Sequence, residues 1–123
     1  MAEFYHIRLE TARGPGRPAG DPTEGYDIVA PLDGEGRLDA AAWREAQDRC
    51  YARRFSDGQT EARGRLRHAS QRWIIDLEPG EAEDAVGYRF GEERFTPGEY
   101  VSLTLPDGEQ HTYAVVAVQP VQR

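Results

Sequence analysis

The stretch Tyr100-Val-Ser-Leu-Thr-Leu105, Pro106-Asp-Gly108 and Thr112-Tyr-Ala-Val-Val-Ala-Val118 decides the fold. In the first arm Val101, Leu103 and Leu105 fall on one side. Side chains alternate across a strand, so this is the pattern of a half-buried strand. The connector fits a type I turn with Gly108 in the left-handed position. The whole reads as an antiparallel hairpin.

The same reading extends outward in both directions. Phe95-Thr-Pro-Gly98 is a strand-entry turn, because proline sets φ and glycine takes the left-handed position. Tyr88-Arg-Phe90 reads as a short strand, preceded by an acidic loop from Pro79 to Ala85. Trp73-Ile-Ile-Asp-Leu77 is rich in strand formers. Tyr51 to Phe55 and Thr60 to Ala69 read as two strands joined through Asp57-Gly58, a favoured hairpin dipeptide. At the start, Tyr5, Ile7 and Leu9 share one side of a strand from Phe4 to Glu10. Tyr26 to Ala30 is expected to form a second strand, stopped by Pro31.

Two segments depart from period two. Arg13 to Gly25 carries three prolines and four glycines and reads as a long loop. Asp39 to about Tyr51 reads as the one helix. Asp39 is the N-cap, and Leu38 and Trp43 are placed to staple its start. Trp43, Ala46, Gln47 and Cys50 share a face at helical spacing. The expectation is a mainly β, α+β fold: a small antiparallel barrel, or a strongly curved sheet, of about eight short strands with one helix packed on it. The 123 residues make one domain, 1–123.

With 38% hydrophobic residues the core is economical, and the aromatic residues carry much of it. One cysteine allows no internal disulfide. The first ten residues lack the basic start and apolar run of a signal peptide, and no stretch approaches the ~18 apolar residues of a membrane span. A reducing cytoplasm is the expected compartment.

All 15 basic residues are arginine, which codon usage in a high-GC bacterial genome explains. Net charge is −7, an argument against a general nucleic-acid or anionic-membrane binder. The charge is uneven. Met1 to Trp43 carries 4 arginines and 8 acids, and Trp73 to Arg123 carries 3 and 10. Arg44 to Arg72 reverses this, with 8 arginines and 4 acids. Either the segments neutralise one another in the fold or the middle presents a basic patch.

That patch is the most pointed feature. Arg63, Arg65 and Arg67 alternate along one strand face, with Arg53, Arg54 and Arg72 on neighbouring segments. Guanidinium forks suit carboxylates and phosphates alike, so an acidic protein or another anionic ligand fits the row. The competing reading is cross-strand pairing with the acidic segments.

Reactive constellations are weaker. Cys50 sits at a helix C-terminus, where the dipole disfavours a thiolate, and shares the face of Trp43; it reads as a buried structural thiol. His6, His68 and His111 would have to converge to hold a metal, and nothing in their spacing makes them. Asp76 interrupts an apolar run and is the best single carboxylate, though alternation puts it outward with Ile74 and Glu78. No phosphate loop, dinucleotide fingerprint or nucleophile elbow is present, and no cofactor is implied.

Several spaced blocks stand out: Tyr5-His-Ile-Arg-Leu9, Ala30-Pro-Leu-Asp33 with Gly36-Arg37, Gly87-Tyr-Arg-Phe90, Phe95-Thr-Pro-Gly-Glu-Tyr-Val-Ser102, Gly108 and His111-Thr-Tyr113. Together they resemble a group of small uncharacterised proteins from alphaproteobacteria. The resemblance covers most of the chain and implies no activity, so it carries over no functional residue. The leading functional expectation is a non-enzymatic binding protein using the arginine face. The alternatives are a small ligand-binding barrel or enzyme with its site at the barrel mouth, and a subunit whose role is assembly.

Overall fold

The computed structural model of the chain describes residues 3–13, 20–57, 59–69, 72–78, 85–87, 90, 92–105 and 108–121. The alternation along the sequence becomes a closed wall. Strands β1 (Glu3–Arg13), β2 (Asp21–Leu32), β3 (Tyr51–Ser56), β4 (Gln59–Ala69), β5 (Arg72–Glu78), β6 (Ala85–Gly87), β7 (Tyr100–Thr104) and β8 (Gln110–Pro120) each pair antiparallel with the next. The last returns to pair with β1, which closes the barrel.

One side of every long strand fills the interior. Ile7 and Leu9, Tyr26 and Ile28, Ala52, Leu66, Ile75 and Leu77, Val101 and Leu103, and Tyr113 and Val115 form one buried cluster. Two glycines let the wall curve. A Cβ on Gly25 would lie 1.9 Å from the Leu9 carbonyl oxygen, and one on Gly64 would lie 1.9 Å from that of Asp76. Only a residue without a side chain permits such close backbone approach.

One end of the barrel is plugged. The helix α1 (Ala40–Glu45) starts on the Asp39 carboxylate, which accepts a bond from the Ala42 amide at 3.1 Å. Trp43 reaches into the core, donates its indole N–H to the Leu66 carbonyl at 2.8 Å, and packs edge-on against Trp73. The helix is shorter than its periodicity predicts. Ala46 leaves helical geometry, Gln47–Arg49 make a single 3-10 turn, and Cys50 is already extended. Tyr51 is claimed by the sheet, pairing with Val29 and Arg65, and that tertiary demand overrides local preference. Trp43 and Cys50 are buried as the shared face requires, while Gln47 is exposed.

Other expectations shift for local reasons. The strand after the predicted long loop begins earlier, at Asp21. Gly25 pairs with Glu10 but Asp21 pairs with Thr11, so residues 22–24 bulge and Pro22 sits where no ladder bond is needed. Residues 14–19 of that loop lie outside the described residues. Pro31 does not stop β2, which runs to Leu32. Its carbonyl accepts the Asp39 amide, so its ring nitrogen faces the side that β3 has left beyond Val29. Ala85–Gly87 forms a strand, and of the strand expected at Tyr88-Arg-Phe90 only Phe90 is described, outside it. The Phe90 amide bonds to the Gly87 carbonyl, and the Phe90 ring packs edge-on against Phe95. Residues 88 and 89 lie outside the described residues. The turn at Thr96-Pro-Gly-Glu99 forms as read, with Gly98 at φ 97° and the Glu99 amide bonded to the Thr96 carbonyl.

Candidate functional site

If the inward residues of β1 to β4 build the core, their neighbours build the outer wall. The register places Arg8, Asp27 and Arg53 directly opposite one another on β1, β2 and β3. Asp27 is the centre of this row. Its side chain is only 6% exposed, although it stands on the outside of the barrel. Long arginine side chains from both flanks cover it. One oxygen, Oδ2, accepts from Arg53 Nε at 2.8 Å, with Arg53 Nη2 also in contact. Arg8 Nη1 stands 3.6 Å from the same oxygen. Phe55 lies beneath, buried, with the Arg8 guanidinium 4.1 Å above its ring. Such stacking suits a guanidinium, which is flat and weakly hydrated. Arg53 also donates from Nη1 to the Thr60 hydroxyl, which fixes its fork.

The second oxygen of Asp27 is different. His6 Nε2 lies 3.2 Å from Oδ1, yet Oδ1 is buried and accepts no hydrogen bond among the described residues. Beside it a groove of about 570 Å³ is lined by His6, Val29, Tyr51, Arg53, Arg63 and the backbone of Gly64. Tyr51, 54% exposed, stands in this lining.

The six arginines of the sequence reading divide. Arg53, Arg63, Arg65 and Arg67 share the outer wall of β3 and β4. Two are neutralised there, Arg53 by Asp27 and Arg67 by Asp76 at 3.0 Å. Among the described residues Arg63 and Arg65 hold no hydrogen bond or ion pair, and both are exposed. On the β3 side Arg63 faces Arg53 and Arg65 faces Tyr51; on the β5 side Arg63 stands opposite Glu78 and Arg65 opposite Asp76. Arg54 points to the other side, to the open end of the barrel, where its Nε lies 3.3 Å from Glu61. Arg72 stands at the start of β5 opposite Ala69, at the far end of the wall.

Sequence reasoning missed Arg8 and Asp27, and weighed His6 only as a partner for a thiol or a metal. The available signal was Asp27 itself, a lone charge between Tyr26 and Ile28 in an apolar run. Asp76 is not buried; it lies on the wall with its partner Arg67.

The histidines are dispersed. His6 borders the groove, His68 packs against Trp43 and Trp73 at the plugged end, and His111 lines the open mouth. Burial, with Arg44 nearby, holds the His68 imidazole below its ordinary value. Cys50 is buried beneath α1, and burial pushes its thiol up to about 11. Among the described residues no three of His, Cys, Asp and Glu gather where they could hold a metal ion. The mouth is a shallow hollow of about 250 Å³ over a filled core. Tyr26 and Tyr113 meet edge-on there, and burial pushes the Tyr113 hydroxyl up. A larger hollow, about 700 Å³, runs between α1 and the ends of β1 and β8. Two of its polar groups are engaged: Asp39 caps α1, and Arg49 lies over the Phe4 ring.

Among the described residues no helix is long and apolar enough to cross a membrane. No family model, no curated protein and no solved structure matches the chain.

Proposed function

We propose that this chain is a non-enzymatic, cytoplasmic binding protein that takes an anionic partner on the outer face of β3 and β4. The observation that carries the reading is the pair Arg63 and Arg65. They point outward on one strand, and among the described residues neither forms an ion pair, although the register sets Arg63 opposite Glu78 and Arg65 opposite Asp76 on β5. The other wall arginines, Arg8, Arg53 and Arg67, each have a carboxylate. Like charges placed opposite each other, as Arg53 and Arg63 are, weaken a sheet. A row kept despite that cost is suited to an external anion, which relieves the repulsion on binding. The groove beside the pair gives such a partner a concave seat, and its volume is in the range of small-ligand sites. The overall negative charge disfavours long polyanions and leaves short-range contact at this face as the source of affinity.

The test is a titration of isotope-labelled protein with pyrophosphate, followed by amide chemical shifts. Shifts confined to Tyr51–Ser56 and Gln59–Ala69 support the reading. The double charge reversal Arg63→Glu with Arg65→Glu should weaken binding at least tenfold, since charge-assisted bonds are worth about 1.5–3 kcal/mol each. Unchanged affinity in that variant, with its fold intact, refutes it.

A further inference from the structure

We infer that His6 is a proton switch for the anion site on this wall: a proton on its imidazole tightens anion binding in the groove, and loss of that proton weakens it. The inference rests on the anion-binding reading above and adds how that site is regulated.

Register brings the switch to the site. His6, Val29, Tyr51 and Arg65 form one row across β1, β2, β3 and β4. Arg8, Asp27, Arg53 and Arg63 form the next row, two residues along each strand. Residues two apart on a strand share a face, so both rows stand on the outside of the barrel. Both border the groove, His6 and Tyr51 from one row, Asp27, Arg53 and Arg63 from the other.

His6 combines access to solvent with a fixed partner. Its side chain is 51% exposed, so it exchanges protons with bulk water, while Asp27 beside it is almost covered. Nε2 lies 3.2 Å from Asp27 Oδ1. Oδ1 accepts no hydrogen bond among the described residues, so this approach is a contact of charges and attracts in full only when the imidazole is protonated. The residues opposite His6 in the two ladders, Val29 on β2 and Gln119 on β8, carry no charge. On its own strand the next residue of this face is Arg8, held by Glu10 at 3.1 Å. From β3 and β4 come Arg53 and Arg63, across the groove.

The charge at the groove therefore depends on one proton. In its lining, Arg53 and Arg63 stand against the single carboxylate of Asp27. With His6 neutral the lining carries one net positive charge, and a proton on His6 doubles it. Histidine is the side chain whose charge ordinarily changes between about pH 5 and 8. The other two histidines stand elsewhere, His68 at the plugged end and His111 at the open mouth. Linkage is reciprocal: an anion that prefers the protonated form favours that form by the same factor.

The probe is inorganic sulfate, whose own charge is constant across this range. The labelled full chain is titrated with it at about pH 5.5 and about pH 8, at fixed ionic strength, and the amide shifts of β3 and β4 give the affinity. Sulfate should bind about fivefold more tightly at the lower pH. His6→Gln should bind it equally at the two, and His111→Gln should keep the parent's difference. Calorimetry of the parent chain in two buffers of different ionisation enthalpy needs no variant: near neutral pH, sulfate binding should take up a fraction of a proton. Equal affinity at the two pH values, or binding without proton uptake, overturns the inference while the anion-binding reading stands. A difference that persists in His6→Gln, or vanishes in His111→Gln, places the proton elsewhere and overturns it too. No response to sulfate at either pH also overturns the inference, and the pyrophosphate titration then decides the anion-binding reading by itself.

Discussion

Replacing Asp27 by alanine should cost about 2 kcal/mol of folding stability. Breaking a fully buried ion pair from one side costs roughly 3–5 kcal/mol, because the stranded charge stays out of water. Here the stranded charges are only partly buried: the Arg8 and Arg53 side chains are 34% and 31% exposed. Water and counter-ions reach them, which reduces the penalty by about half. Urea unfolding followed by tryptophan fluorescence reads the change directly, since Trp43 and Trp73 are both buried. With a slope near ~1.5 kcal/mol per molar urea, the midpoint should fall by about 1.3 M at constant slope. A second variant separates charge from packing. Adding Arg53→Met to Asp27→Ala removes one of the two stranded cations, and about half of the lost stability should return. Were Asp27→Ala to unfold within about 0.5 kcal/mol of the parent, or the double variant to lose the full sum of both changes, the electrostatic account of this wall would be wrong.

Trp43→Phe keeps the ring but removes the N–H that satisfies the Leu66 carbonyl. Thermal melting should show a loss of about 1–3 kcal/mol, the cost of a buried acceptor left without a donor. Gly64→Ala places a Cβ 1.9 Å from the Asp76 carbonyl oxygen; solubility and circular dichroism should show a misfolded product, where Gly34→Ala, with open space around it, should behave as the parent. The Cys50 thiol, raised to about 11, remains protonated in the folded chain over a range where the unfolded chain already ionises. The unfolded state therefore binds fewer protons, and stability should fall as pH rises from about 8.5 toward 11. Denaturant midpoints at pH 8 and 10 should show this fall, and it should be smaller in Cys50→Ala.

The fold was legible because its signal is local and repeated. Alternation at Tyr5-Ile7-Leu9 and Val101-Leu103, with glycine turns between strands, already implied short antiparallel strands in a barrel or strongly curved sheet, while the order of the strands was not legible. What the sequence hid were the positions where tertiary context overrode a local rule. Pro31 reads as a stop, yet it is harmless where β3 no longer runs alongside. Asp39 to about Tyr51 reads as helix, yet α1 ends at Glu45 and Cys50 is already extended, leading into β3 at Tyr51. The candidate site was half visible. The alternation of Arg63, Arg65 and Arg67 placed them on one face, but no spacing in the chain says that Arg8, Asp27 and Arg53, drawn from three strands, stand in one row. That row is a product of register, and register is set by the bulges and turns far from it.

The return of β8 to β1 has a kinetic consequence. The other strand pairings join neighbours in the chain; this one joins Tyr5 to Pro120 and Ile7 to Val118. Its loop-closure entropy is the largest in the molecule, so the seam is expected to zip last, after a curled but open sheet has formed. Until then two long strands with bare backbone edges are exposed, and each is a template for a neighbouring chain. The seam is thus where folding and self-association compete, and protein concentration during refolding decides between a closed barrel and strands exchanged between molecules.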